Sequence, residues 1–164
     1  MSNQTTVNSR IAKASPGLIA DGNMGNKIIS IACEPATIPF GVVVQRGTNP
    51  ETQAVLGSDA DLTNILGIAV RELAREAGSV GATTVGYSAT EAMAIMQEGY
   101  IYAQCVAGCT AGDNVKFVNT TGALSAGAAT AGETVIVGAR WMETVPALGI
   151  AKLNLNINGL TAGA

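Results

Sequence analysis

Apolar residues fall along this chain in short runs closed by Gly, Pro, Asn or Asp, and they nowhere hold the period of a long amphipathic helix. Lys27–Ala32 reads KIISIA, and Phe40–Arg46 reads FGVVVQR between Pro39 and Gly47. Ala54–Leu56 is a short run between the turn-forming clusters Thr48–Glu51 and Gly57–Asp61. Asn64–Val70 has the continuous apolar content of a strand buried on both faces, and Tyr100–Val106 combines aromatic with β-branched residues. Val115–Val118, Thr134–Met142 and Leu148–Asn156 complete the set. The pattern predicts about eight to ten short strands joined by tight turns, as in a β-sandwich or barrel.

Three stretches are less regular. Arg71–Ala77 has helical propensity but is too short to decide. Thr90–Gln97, TEAMAIMQ, is helical by composition, yet a strand there is expected to reach a tight turn at Glu98-Gly99. The Gly/Ala/Thr-rich stretch 123–132 reads as a solvent-facing loop. The chain before residue 21 is polar at its front and sparsely apolar, with Val7, Ile11, Leu18 and Ile19 spread around the Pro16-Gly17 break. The expected organisation is an extended N-terminal arm over 1–20, a single β-domain over 21–158 and a C-terminal tail over 159–164.

Composition narrows the function. Of 164 residues 48% are hydrophobic but only 4% aromatic, with 20 glycines, so packing proceeds through small aliphatic side chains. Charged residues make up 13%, against about a quarter in an average domain, which suits either a surface covered by partners or copies of itself or simply a β-protein built from small residues. A net charge of −3 with nine scattered Lys and Arg supplies no basic stripe for a phosphate backbone, so no nucleic-acid partner is expected. No apolar run approaches the roughly 20 residues of a membrane-spanning helix, and no membrane association is expected.

Candidate chemistry is sparse. With no histidine, Ser-His-Asp and Cys-His arrangements are excluded. Cys105 and Cys109 have a spacing seen in zinc sites, but Cys33 is the remaining thiol and nothing completes four ligands. Cys105 reads as a small hydrophobe in a strand and Cys109 as part of the following turn, and the odd number without a signal-like start does not suggest a disulfide framework. Asp59 and Asp61 lack the Gly and terminal Glu of a calcium loop. Glu72, Glu76, Glu91 and Glu98 could supply a glycosidase pair only if a cleft gathered two of them. No cofactor or metal is expected, and no enzymatic activity. Trp141, beside Arg140 and Met142, is a candidate self-association anchor, with a core Trp as the alternative.

Several phrases, in order, carry a resemblance. Pro16–Asp21 reads PGLIAD, Ile38–Gly47 IPFGVVVQRG, Ile65–Arg71 ILGIAVR, Glu98–Ile101 EGYI and Ala111–Val115 AGDNV. From about Gly17 to Leu155 the chain resembles the structural cement proteins that decorate tailed-phage heads; stretch 123–132 matches nothing in that pattern. The resemblance implies a mainly β, jelly-roll-like sandwich or barrel with an extended N-terminal arm. It implies a structural virion protein on the outer surface of the phage head, cementing neighbouring major capsid subunits and associating with copies of itself as a dimer or trimer. Val7, Ile11, Leu18 and Ile19 are the expected capsid contacts, on an arm that orders when it meets a partner. The alternatives are another virion or surface β-module, such as a tail or fibre component or an adhesin-like domain, and a hydrolase using carboxylates alone.

Overall fold

A computed structural model describes residues 14–21, 25–34, 36–58, 62–72 and 85–157. Among them are eleven strands: β1 (Lys27–Cys33), β2 (Ile38–Pro39), β3 (Val43–Arg46), β4 (Gln53–Leu56), β5 (Ile65–Ala69), β6 (Gly86–Tyr87), β7 (Ala92–Cys105), β8 (Asn114–Val118), β9 (Leu124–Ala126), β10 (Glu133–Trp141) and β11 (Gly149–Asn156). The described residues are mainly β, as the turn spacing predicts.

Nine strands form one sheet in the order β1-β4-β3-β5-β7-β11-β10-β8-β9, and β1 also pairs with β7. That pairing closes β1, β4, β3, β5 and β7 into a ring, so the sheet is barrel-like. The 14-residue β7 then continues past the ring, where β11, β10, β8 and β9 add to it. The far edge also comes back toward β7, because the Val106 amide donates to the Leu124 carbonyl at 3.0 Å. β2 and β6 form a separate two-stranded ribbon.

Strands shared by the two halves are apolar on both faces. Val44, Leu66, Ala69, Met93 and Ile95 fill the core of the ring. Val43, Ile65, Ile68 and Met96, their neighbours in sequence, point into the second core with Ile101, Phe117 and Trp141. Alternation cannot show in such strands, since neither face meets water. In β5 the phase slips at Gly67: Ile65 and Ile68 face one core, Leu66 and Ala69 the other. The β3–β5 register shifts at the same place, as in a β-bulge. Gly67 lies at φ +154°, and a Cβ there would stand 2.1 Å from the Met96 carbonyl oxygen.

Two local expectations are corrected. TEAMAIMQ does not lead to a turn at Glu98-Gly99: β7 runs through both residues unbroken. A register shift opposite Lys27/Ile28 bends it there, where its partner changes from β1 to β11. The stretch 123–132 is not all loop, because Leu124–Ala126 is strand β9, paired with β8. Leu124 and Ser125 are buried, and only the residues from Ala128 to Gly132 are exposed. Asp59, Asp61, most of the helix-prone segment 71–77 and the tail 159–164 lie outside the described residues.

Candidate functional site

The end of the expected arm is strapped to the barrel. Ser15–Leu18 makes a turn closed by the Leu18 amide on the Ser15 carbonyl at 3.1 Å. The chain then runs along β7: Gly17 N–H donates to Tyr102 O at 2.7 Å, Tyr102 N–H to Leu18 O at 2.8 Å and Ala20 N–H to Tyr100 O at 2.9 Å. A fourth bond, Arg71 N–H to Gly17 O at 2.7 Å, ties the strap to the end of β5. Only glycine fits at the crossing. Gly17 has φ +83°, and an added Cβ would lie 2.9 Å from both the Ala69 carbonyl oxygen and the Arg71 amide nitrogen.

The structure separates the candidate contact residues. Val7 and Ile11 lie outside the described residues. Leu18 and Ile19 are half-buried; Ile19 bridges to Ile101 and packs against the larger core, so it anchors the strap. Trp141 is corrected from surface anchor to core residue: it is fully buried, and its Nε1–H donates to the Ser125 carbonyl at 3.0 Å. β10 turns the indole inward and leaves Met142, the next residue, 42% exposed. The two do not form one patch.

A surface that is not legible in the sequence lies beside the strap. Leu148 is 62% exposed and Val106 is 41% exposed, and the Leu148 amide donates to the Val106 carbonyl at 3.2 Å. Gln104 Nε2 donates to the Leu148 carbonyl at 3.2 Å, and Ala107, Pro146 and Ala147 are also exposed. Leu148 sits at φ +60°, a left-handed conformation that costs an L-residue about 1–2 kcal/mol. A strained backbone that holds a bulky apolar side chain in water is the kind of outlier that clusters at working sites. From Val106 the surface runs into a 250 Å³ cleft that Pro16, Phe40, Gly41, Ala123 and Leu124 also line. The root of the strap and the exposed loop pair therefore share one face.

Two other clefts among the described residues carry little chemistry. A 440 Å³ groove between the Glu34 loop and β3–β4 holds one carboxylate, Glu34, which accepts hydrogen bonds from the Thr48 amide and hydroxyl. The hydroxyl and amide bonds hold its acidity stronger than the ordinary carboxylate value. A 290 Å³ cleft near Gly99 likewise holds one carboxylate, Glu98. Neither has the carboxylate pair a glycosidase needs. Among the described residues no group of three His, Cys, Asp or Glu could hold a metal ion. Cys33, Cys105 and Cys109 are buried free thiols, and burial, with Cys109 beside it, pushes Cys105 up to about 12.

Fold and surface together define a small β-barrel protein that exposes an apolar face next to an anchored N-terminal strap. The family of structural cement proteins described by "E217 gp24/Pam3 gp6" matches residues 3–156, and the chain belongs to this phage family. Its role is accordingly structural and in the virion. No curated protein matches the sequence. A chain of "The capsid of Myoviridae Phage XM1" shares the fold, with a TM-score of 0.73 at 15% identity over 95% of this chain and 98% of that one.

Proposed function

We propose that this protein binds the outside of a tailed-phage head and cements neighbouring major capsid subunits without catalysing a reaction. The observation that carries this reading is the exposed, left-handed Leu148 beside Val106, on the face where the strap begins. Covering Leu148 would contribute about 1–2 kcal/mol, with smaller amounts from Val106 and Pro146. Val7 and Ile11, which precede the strap, are assigned to a second capsid subunit. The four backbone bonds at Gly17–Ala20 would carry the load between the two contacts. A single weak bridge holds little, but many copies on one lattice sum by avidity.

The test is co-sedimentation of Leu148→Gly and Ile11→Asp variants with heads stripped of this protein. Leu148→Gly relieves the backbone strain, so it should melt no lower than the parent yet bind heads several-fold more weakly. Parental binding by both variants would place the contact elsewhere. Labelled protein found on tails and not on heads would favour the tail-component alternative.

A further inference from the structure

The outer edge of β1 offers hydrogen-bonding groups that nothing in the described fold satisfies. The Cys33 amide donates to Glu91 O at 2.8 Å, on the β7 side. With a two-residue period, Ile31 and Ile29 also turn their backbone groups toward β7, whereas Ala32, Ser30 and Ile28 turn theirs away. The Ala32 amide meets the Thr52 carbonyl at 3.1 Å, because β4 runs beside the end of β1. β4 begins at Gln53 and pairs with Ala32 and Cys33 alone. Among the described residues, the amides and carbonyls of Ser30 and Ile28 have no partner, and Ile28 is 42% exposed.

We propose that this edge is a self-pairing site, at which β1 of a second copy adds antiparallel about a twofold axis through Ile29. Self-complementarity picks this occupant. The two open residues are two positions apart, so a twofold at Ile29 sets Ile28 against Ser30 of the partner subunit and Ser30 against the partner's Ile28. All four open amides and carbonyls on the two strands are then used, in two hydrogen-bonded pairs. The half-buried Ile29 of each strand meets its own copy and extends the apolar side of the barrel across the join. Charge does not oppose the pairing. Lys27 is the charged residue of the strand, and the twofold places it opposite Ile31 of the partner subunit, about 13 Å along the strand from the second Lys27. A short, mostly apolar edge with a single Lys at one end is weakly protected against such addition. Edge pairing of this length buries a small area, so the contact is weak in solution and gains from the high local concentration on a lattice.

The experiment uses the full chain, free of capsid. Sedimentation at about 10 to 100 μM, the range for a weak edge contact, should show a monomer–dimer equilibrium. Ser30→Pro removes an amide that points away from β7, so it should keep the parental circular dichroism and lose the dimer. Ile29→Cys should cross-link to a dimer under mild oxidation, because facing residues of a non-hydrogen-bonded pair lie about 4.5 Å apart, within disulfide range. The buried native thiols give no such product in the parent. A parent that stays monomeric, a dimer untouched by Ser30→Pro, or a dimer that Ile29→Cys fails to lock would each overturn the proposal. Loss of the dimer in a Val7→Asp, Ile11→Asp double variant would also overturn it, by making the N-terminal segment the occupant. None of these outcomes bears on capsid binding, which is read from stripped heads.

Discussion

Replacing Gly17 by Ala tests whether the strap is seated on the barrel as described. The new methyl must adopt φ near +83°, which costs about 1–2 kcal/mol for an L-residue. It must also displace backbone, since its Cβ would lie 2.9 Å from Ala69 O and Arg71 N and 3.0 Å from Gly41 N. Overpacking against atoms that cannot rotate away adds about 1–3 kcal/mol. The sum, about 2–5 kcal/mol, is capped at the docking free energy of the strap, which can detach before the barrel opens. If the strap unfolds with the barrel, a domain of this size should melt roughly 5–15 °C lower, at about 2–4 °C per kcal/mol. If it detaches alone, exchange protection at the Tyr102, Ala20 and Arg71 amides should fall about 30-fold or more, at about 1.4 kcal/mol per factor of ten. Gly127→Ala is the control: its φ is +96°, but no atom lies within 4 Å of the added Cβ, so it carries the conformational cost alone. Hydrogen exchange with thermal melting reads all three proteins. Unchanged protection at Tyr102 together with an unchanged melting temperature in Gly17→Ala would refute the seat.

Three further outcomes are expected. Trp141→Phe removes the indole donor to the Ser125 carbonyl and leaves a void where a fully buried side chain stood, so it should destabilise the fold by about 1–3 kcal/mol, measured by denaturant titration, with no change in sedimentation. Glu133 is held at about 2 by hydrogen bonds from Lys116 Nζ, at 2.7 Å, and from Thr130. A carboxyl depressed on folding stabilises in full above its ordinary value of 4.5 and loses that contribution as pH falls toward about 2. Stability measured across that window should therefore drop more steeply in the parent than in Glu133→Gln. The three thiols, buried and shifted upward by that burial, should resist a disulfide reagent at about pH 8. All three should react after unfolding, and rapid labelling of the native protein would contradict their placement.

The sequence alone determined the strand-rich class, most strand positions and the family. KIISIAC, ILGIA and ETVIVGARW declare themselves because β-branched runs bounded by turn residues have few other uses. Five short phrases in a fixed order were enough for the resemblance, since turn and close-approach residues are bound to their positions by backbone geometry. Tertiary structure decided what depends on residues distant in the chain. Ala92–Cys105 is one strand because its first half is covered on both faces, which erases the alternation that would have marked it. Leu124–Ala126 becomes a strand only because β8 offers an edge for it. Trp141 points inward and Met142 outward by the phase of β10, set by partners rather than by the two side chains. Leu18 and Ile19 read as sparse residues of an arm, yet β7 has an open edge at Tyr100–Tyr102 that captures them. The exposed Leu148 could not be singled out from its sequence, because an apolar residue after Pro146-Ala147 is ordinary until the loop from Val106 fixes its backbone at φ +60°.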